Sequence, residues 1–351
     1  MEKKSIKYII VGAGLSGLTS AYKLYKSGEH DFVILESRDR IGGRILTKSH
    51  IDFGATWFQN HHGRVISLLE ELGINKFHQY SKGKSVLVYS TMAPEHFFES
   101  DPNVPSAYRV VDNSEAVIQK LAEPFLEKIQ LNNRVGKIHD EGDKLFVETD
   151  KGVFGAEKVI LTVPPKIATR IEFNPKLPTA VTQVMDKTHT WMSNAIKVGL
   201  TFKKPFWRAK NLSGTVIGQV GAVTELYDHS DIGDEHFALM GFVNEGLRDT
   251  SAEERKERIL AYLSKYLGSE IMDYESYEEK DWSQDWNTSC ETIKSIYMSP
   301  SYGNPIFQET YLNHRVLFSG AETSPVYGGY MDGAIYSGIL AAKKVMGITS
   351  D

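Results

Sequence analysis

Cysteine is nearly absent from this sequence, with Cys290 the single one among 351 residues. One thiol excludes an intramolecular disulfide and a metal cage built from several cysteines. Chains without disulfides are typical of reducing compartments, so we expect a cytoplasmic protein. We interpret Cys290 as an ordinary buried thiol.

Long apolar runs are also missing. No run approaches the roughly 18 residues that a membrane helix needs. The basic start leads into the apolar residues 8–11, but glycines interrupt this run too early for a signal peptide. We therefore expect no membrane partner and interpret residues 8–11 as a first strand.

The chain carries no excess of positive charge, since 40 Lys and Arg stand against 45 Asp and Glu and leave a net charge of −5. Such a chain offers no basic field to a phosphate backbone, so we expect no nucleic-acid partner. His61 and His62 are adjacent, but no third ligand follows at metal-binding spacing. We expect no metal site.

The length and the apolar content of 41% are those of a globular chain of about two domains. Apolar patterning predicts a strand at 8–11, a helix at 15–24 and a strand at 32–35, followed by a helix at 65–72. Further along it predicts hairpins within 84–89 and 144–161, a strand at 196–202, and helices at 251–267 and 333–346.

A glycine-rich loop follows the first strand and opens the first helix; it reads Gly12, Ala13, Gly14, Leu15, Ser16, Gly17. Gly12 permits a tight turn, Gly14 lets the backbone approach a pyrophosphate, and Gly17 allows close helix packing. Glu36 ends the next strand, where its carboxylate can accept hydrogen bonds from a ribose. This context indicates a dinucleotide site, although it does not separate NAD from FAD.

The stretch after Glu36 decides between these cofactors, because it places two glycines beside three arginines: Ser37, Arg38, Asp39, Arg40, Ile41, Gly42, Gly43, Arg44. This stretch resembles the second dinucleotide signature of the flavin-containing amine oxidase family, which includes the monoamine and polyamine oxidases. The similarity extends over nearly the whole chain, through residues 132–135, 159–165, 195–207 and 281–282 to 318–323 and 328–334.

The resemblance implies a role for each of these segments. Arg44 would reach the FAD phosphates, and Gly54, Ala55, Thr56 and Trp57 would lie at the isoalloxazine edge. Val135 would hold the adenine through its backbone. Glu322 would lie near the ribityl and phosphate region, and Met331 would bind the pyrimidine edge.

The resemblance also implies three residues in catalysis. Lys197 would hold a water near the flavin N5, Trp282 would flank the ring, and Tyr330 would stand in front of it. Without the resemblance, alternation favours Lys197 as a surface lysine, and composition favours Trp282 as an ordinary core residue. The helix after Tyr330 would direct its positive N-terminal end at the pyrimidine ring.

The sequence departs from the family in two places. Only the short segment 91–109 stands where larger members have a helical insertion, which predicts a thin or missing roof over the substrate pocket. The second aromatic residue of the family's substrate cage falls near Thr292, and the flavin-linking cysteine of some members falls near Glu291. We therefore expect noncovalent FAD. Glu291 and Asp285 lie close to the pocket segment and are candidates to attract a cationic amine, although a solvated surface position is the favoured interpretation of both.

We predict an α/β fold in which a Rossmann-like FAD-binding domain of the two-dinucleotide-binding type joins a substrate domain of mixed sheet and helices. The expected FAD-binding domain comprises residues 1–75, 128–168 and 305–351, and the substrate domain comprises 76–127 and 169–304. The expected activity is oxidation of a small amine by O2, in a possible homodimer. FAD-dependent dehydrogenation of a C–C or ring substrate and a noncatalytic FAD-binding role are the alternatives.

Overall fold

The computed structural model describes residues 5–90, 92–101, 103–104, 106–290 and 301–348. Within these residues, no helix combines the length and apolar character that crossing a membrane requires. The helices are α1 (Leu15–Lys26), α2 (Gly63–Leu72), α3 (Glu115–Ala122), α4 (Pro165–Ala168), α5 (Thr179–Lys187), α6 (Phe206–Ala209), α7 (Ala252–Leu267) and α8 (Met331–Val345).

The strands of the first half of the chain are short apart from the first and the last of them. They are β1 (Ser5–Val11), β2 (Phe32–Leu35), β3 (Thr47–Lys48), β4 (Ile51–Asp52), β5 (Lys76–His78), β6 (Lys84–Val88), β7 (His96–Glu99), β8 (Tyr108–Val110), β9 (Ile129–Gln130), β10 (Val135–Asp140), β11 (Leu145–Thr149) and β12 (Gly152–Leu161). Those of the second half are β13 (Glu172–Asn174), β14 (Ile196–Phe202), β15 (Leu212–Gly218), β16 (Val223–Asp228), β17 (Phe237–Val243), β18 (Ser276–Asp281), β19 (Thr310–Tyr311) and β20 (Val316–Phe318).

The first large sheet contains nine strands, in the order β13-β10-β11-β12-β1-β2-β9 with β20 and β19 attached beside β12. Strands β9, β2, β1, β12 and β20 pair in parallel. Helices α1 and α8 pack against each other on one face. A parallel sheet covered by helices is the expected Rossmann-like architecture, so the fold class is confirmed.

The second large sheet has the order β18-β14-β17-β16-β15-β6-β7. Its strands pair in antiparallel fashion except for β15 and β6, which are parallel. One face of this sheet packs on α7, and the other face meets the first half of the molecule through Ile51 and Phe53.

Two segments pack differently from the expected domain division. Helix α3, expected in the substrate domain, contributes Ile118 and Leu121 to the core that α1, α2 and α8 share. Strand β13 pairs with β10 in the first sheet, and Met185 of α5 lies in that sheet's second core. We therefore propose that residues 115–127 and 169–187 belong with the FAD-binding domain.

Local sequence explains several element ends. Helix α7 begins after Ser251, whose side chain accepts a hydrogen bond from the backbone N–H of Glu254, and it ends at Gly268. Helix α2 ends at Gly73, which has a left-handed backbone that favours glycine. These boundaries agree with the patterning of the sequence.

Candidate active site

A cavity of about 410 Å³ opens at the carboxyl ends of the parallel strands. Val11, Leu35, Thr162 and Gly320 line it where β1, β2, β12 and β20 end. Ligands of open α/β sheets bind in this position, and cavities of this size hold cofactors and small molecules.

The glycine-rich loop forms one wall of the cavity through Gly14, Leu15 and Ser16. Gly12 has a φ of 108°, which a residue with a side chain rarely adopts. A Cβ at Gly17 would lie 2.0 Å from the carbonyl oxygen of Gly12. Gly12 and Gly14 therefore present backbone without side chains to the cavity directly before α1, which suits an anionic pyrophosphate.

Glu36 lies at one end of this cavity and is only 3% exposed. One carboxylate oxygen accepts the backbone N–H of Ala13 at 2.7 Å, and the other accepts that of Arg38 at 2.9 Å. Ser37, Arg38 and Val135 line the same end. The Glu36 carboxylate thus connects the glycine-rich loop with the stretch that follows Glu36. The sequence predicts the ribose site at this carboxylate.

The loop that contains Asp285 also contributes to the cavity lining, through Trp286, Asn287 and Thr288. Arg38 donates to the carboxylate of Asp285 at 2.7 Å and to the Thr288 hydroxyl at 2.9 Å, so Asp285 is paired with an arginine rather than free for a cationic amine. Trp286, whose ring lies 3.7 Å from the Arg170 guanidinium, also lines the cavity. This tryptophan–arginine pair had no recognisable spacing signal in the sequence.

Arg44 and Glu322, which the resemblance placed around the cofactor, form a buried ion pair with each other. Arg44 lines the cavity together with Gly43, and it also donates to the Thr190 hydroxyl at 2.6 Å. Glu322 does not reach the cavity surface. Burial alone would raise the pKa of the Glu322 carboxyl, but the charge and hydrogen bonds of Arg44 hold it below its ordinary value.

Lys197 is buried behind the cavity wall, where it is only 1% exposed. Its ammonium donates to the carbonyl oxygens of Gly54 at 2.7 Å and Asp52 at 3.2 Å, and to the Thr56 hydroxyl at 3.0 Å. Burial lowers its pKa to about 7, an effect that the charge of Asp52 opposes. The interpretation as a surface lysine is wrong, because the structure places this amine in the interior with a proton that it can release near neutral pH.

Neither of the two predicted tryptophans, Trp57 and Trp282, is among the cavity-lining residues. The Trp57 ring lies 5.2 Å from the ammonium, and its indole N–H donates to Gln79 at 2.8 Å. Trp282 is fully buried and donates to the carbonyl oxygen of Phe53 at 2.8 Å. Its described contacts are those of a core residue, and the ring-flanking role stays a prediction.

Ala55, Tyr330 and Met331 also line the cavity. Trp191, missed in the sequence analysis, joins them, and its indole donates to the carbonyl oxygen of Gly329 at 3.3 Å. Tyr330 is 57% exposed and Trp191 is 44% exposed. Two partly exposed aromatic rings thus line the cavity, and α8 begins at Met331, the residue after Tyr330.

The adjacent histidines contribute to this aromatic group. The His62 ring packs 5.2 Å from the Tyr330 ring and 4.9 Å from that of Tyr327, and its Nδ1 accepts the backbone N–H of Gln59. Glu291 and Thr292 lie outside the described residues. Cys290 is not among the cavity-lining residues and contacts Arg170, with a pKa raised by burial.

Comparison with known proteins gives the same family as the resemblance in the sequence. The family model "Flavin containing amine oxidoreductase" matches residues 15–92 and 83–346. Among curated proteins, a probable flavin-containing monoamine oxidase A of Dictyostelium discoideum is 24% identical, with 96% of both chains covered. The flavin-containing amine oxidase B of Homo sapiens is also 24% identical, with 96% of this chain and 85% of that protein covered.

Solved structures agree on the fold. Putrescine oxidase superposes with a TM-score of 0.84 at 23% identity, covering 98% of this chain and 99% of the other. Cyclohexylamine oxidase from Brevibacterium oxydans gives a TM-score of 0.83 at 18% identity, covering 97% and 99%.

The cavity and the fold define a dinucleotide-binding oxidoreductase. The chain belongs to the flavin-containing amine oxidoreductase family. Its cofactor is FAD and its reaction is amine oxidation, which confirms the cofactor, function and enzyme class expected from the sequence. The two matched ranges meet at residues 83–92, which span β6 and the chain that follows it. The match to the family model is therefore divided directly before the segment 91–109, where the sequence predicts a thin or missing roof.

Proposed function

We propose that this chain holds FAD along the cavity, with the adenosine at Glu36 and the isoalloxazine ring at Ala55 and Tyr330. The position of Lys197 supports this orientation of FAD most strongly. Its ammonium donates hydrogen bonds to Gly54 and Thr56, the residues on either side of Ala55 in the sequence. Arg44 and the N-terminus of α1 then face the phosphates between the two ends. The bound flavin would accept a hydride from the carbon next to the amine nitrogen, with the imine hydrolysed and O2 reduced to H2O2.

Lys197 keeps the reacting nitrogen neutral in this proposal. An ammonium has no lone pair with which to expel a hydride, and desolvation of the site, together with the protonated fraction of Lys197, favours the free amine. The same Nζ, with its pKa of about 7, can hold a water and exchange a proton with it at neutral pH.

Tyr330 and Trp191 position the substrate at the cavity mouth. Both rings are partly exposed and line the cavity together with Ala55. Flat aromatic faces restrict an amine to the approach between them and exclude part of the water. Tyr330→Phe keeps the ring and is expected to change kcat/KM less than about threefold, whereas Tyr330→Ala is expected to lower it at least tenfold, or about 1.4 kcal/mol. Equal losses in an H2O2-coupled assay would assign the role to the hydroxyl instead.

The reactive substrate in this proposal is a small amine, in line with the putrescine and cyclohexylamine that the two structural neighbours oxidise by name. H2O2 formation with a panel of mono- and diamines tests it. Peroxide from none of them, with FAD bound, would refute the proposal.

We propose that the flavin is held noncovalently. Cys290, the single cysteine, lies beside Arg170 and outside the cavity lining. Acid precipitation is expected to release all of the yellow colour into the supernatant. Colour retained in the pellet would demonstrate a covalent link.

The cytoplasmic location and the homodimer are further parts of the proposal. The single cysteine supports the first, and cell fractionation tests it. The exposed edge strand β7 supports the second, because Phe97 and Phe98 are 48% and 41% exposed. Sedimentation at micromolar concentration is expected to give twice the mass of one chain, and a monomer there would contradict it.

A further inference from the structure

One arginine ties the loop after β18 to Glu36. Arg38 donates to the carboxylate of Asp285 at 2.7 Å and to the Thr288 hydroxyl at 2.9 Å. Its backbone N–H donates to the Glu36 carboxylate at 2.9 Å, and its guanidinium lies 3.9 Å from the same carboxylate. Trp286 stands in the sequence between the two loop residues that Arg38 binds. This arginine therefore keeps Trp286 close to Glu36.

A second arginine holds the same loop from another segment of the chain. Arg170 directly precedes Ile171, and both residues line the cavity. The Arg170 guanidinium donates to the backbone carbonyl oxygens of Trp286 at 2.5 Å and of Ser289 at 3.1 Å. The same guanidinium lies 3.7 Å from the centre of the Trp286 ring. Arg170 therefore fixes both the backbone and the ring of this tryptophan.

Trp286 faces the cavity rather than the protein core, since it is a lining residue and is 57% exposed. Arg170 covers one face of the indole, which leaves the other face for a ligand. An exposed indole is a large apolar surface in water, so covering it with a flat ligand is favourable. The base of a dinucleotide suits this face, because every nucleobase carries a π-face that stacks on aromatic side chains.

We propose that Trp286 binds the adenine of FAD by stacking on it, with Arg170 as the positioning residue behind the indole. This inference rests on the proposed function, which places the adenosine at Glu36. Arg38 and Arg170 order the loop before the cofactor enters, so little conformational entropy is lost when the base binds. The adenine then gains an aromatic partner beside the carboxylate that accepts hydrogen bonds from the ribose.

The first test measures release of FAD from the full-length holoenzyme, followed by the fluorescence of free flavin after dilution. Trp286→Leu is expected to accelerate release at least tenfold, in line with the loss of one stacked base. Trp286→Phe keeps a flat ring and is expected to remain within about threefold of the parent. Tyr89→Leu replaces an exposed aromatic residue outside the cavity lining and is expected to keep the parent's rate.

ADP gives a readout at the indole itself, because it carries the adenine but no flavin. FAD is first removed from the full chain, and ADP is added at concentrations that slow FAD rebinding. ADP is expected to change the tryptophan emission of the parent. Trp286→Phe keeps the other four of the five tryptophans and is expected to bind ADP with most of this change lost. An equal change in both proteins would overturn the assignment.

A double-mutant comparison tests the positioning role of Arg170. Arg170→Met is expected to accelerate FAD release about threefold in the parent and much less in Trp286→Leu, because the guanidinium acts through the indole. Equal acceleration in both backgrounds would show that Arg170 acts independently of Trp286 and would contradict this role.

The failures can be distinguished. If the protein binds no FAD, the proposed function fails and this inference falls with it. If FAD is bound but no amine reduces it, amine oxidation fails, whereas the release rates still decide the assignment of Trp286. If Trp286→Leu releases FAD at the parent's rate, only that assignment is overturned. Equal acceleration by Trp286→Leu and Trp286→Phe would contradict stacking.

Discussion

Folding replaces the water around the Lys197 ammonium by two carbonyl oxygens and one hydroxyl. This desolvation makes the stability of the folded protein depend on pH. Burial lowers its pKa to about 7, against roughly 10.4 in an unfolded chain. Below pH 7 Lys197 is protonated in both the folded and the unfolded state, and the buried charge destabilises the folded state. Between these two pKa values the unfolded state binds the extra proton, so the free energy of unfolding rises with pH.

Lys197→Met removes the pH-dependent contribution of this amine to the free energy of unfolding. The parent's urea midpoint is expected to rise between pH 7 and 9 more than that of Lys197→Met, because only the parent releases a buried proton in that window. Lys82→Met, which replaces an exposed lysine, is expected to keep the parent's slope. Identical slopes for the parent and Lys197→Met would show that this amine is not desolvated. Turnover by Lys197→Met is expected to slow while the FAD content stays full.

Glu36 joins the glycine-rich loop, the second signature and the proposed ribose contact. Glu36→Ala leaves two buried backbone N–H groups without an acceptor and is expected to weaken FAD binding at least tenfold, about 1.4 kcal/mol. The measurement is the flavin-to-protein ratio after gel filtration, with a fluorescence titration of the flavin-free protein. Glu70→Ala, an exposed change on α2, is the control. Unchanged flavin content would refute the ribose assignment.

At the residue scale, the sequence was informative where a function depends on neighbours in the chain. Glu36 binds Ala13 and Arg38 across a short strand–helix–strand unit, and this spacing predicts the contact. Lys197 binds carbonyl groups more than 140 residues away, and Arg44 pairs with Glu322 across 278 residues. Such pairs depend on the tertiary arrangement of the helices and strands, and the apolar patterning of the sequence does not reveal that arrangement.

At the element scale, the close packing of α1 depends on small residues. A Cβ at Gly17 would lie 2.0 Å from the Gly12 carbonyl, and one at Gly338 of α8 would lie 2.5 Å from the Ser16 carbonyl. The two helices contact each other directly over the parallel sheet. The dinucleotide loop is therefore supported by a helix from the opposite end of the chain.

Gly17→Ala tests this packing. The added methyl is expected to displace α1 from the loop, lower the free energy of unfolding by about 3 kcal/mol and reduce FAD occupancy. Chemical denaturation and flavin content measure both effects. Gly63→Ala, in the exposed first turn of α2 where nothing lies within 4 Å of a new Cβ, is expected to be neutral or slightly stabilising. A fully stable, yellow Gly17→Ala protein would contradict the close approach.

Helices and strands with a clear apolar period and recognisable end signals were predictable from the sequence, whereas short elements were not. Helix α7 agrees with its predicted bounds because Ser251, Glu254 and Gly268 mark its ends. Strands β5 and β8 have three residues each, too few to show alternation. They pair with each other across the segment that replaces the roof, and long-range pairing decided their structure.

At the scale of the whole molecule, the two sheets meet around the 52–56 segment, whose carbonyls bind Lys197 of the second sheet. The motifs of the first sheet predicted a flavin site, and the resemblance predicted which end faces the substrate. The contributions of Trp191 and of the Arg170–Trp286 pair to the cavity were not predicted, since these residues come from segments far apart in the sequence. Their positions depend on the tertiary arrangement of those segments.

The most direct test of the account is the absorption spectrum of the purified holoenzyme during anaerobic addition of amines. We expect loss of the flavin band near neutral pH with at least one small amine or diamine, and formation of H2O2 when air is readmitted. An FAD-replete protein whose flavin band no amine bleaches would contradict amine oxidation as the function of this site.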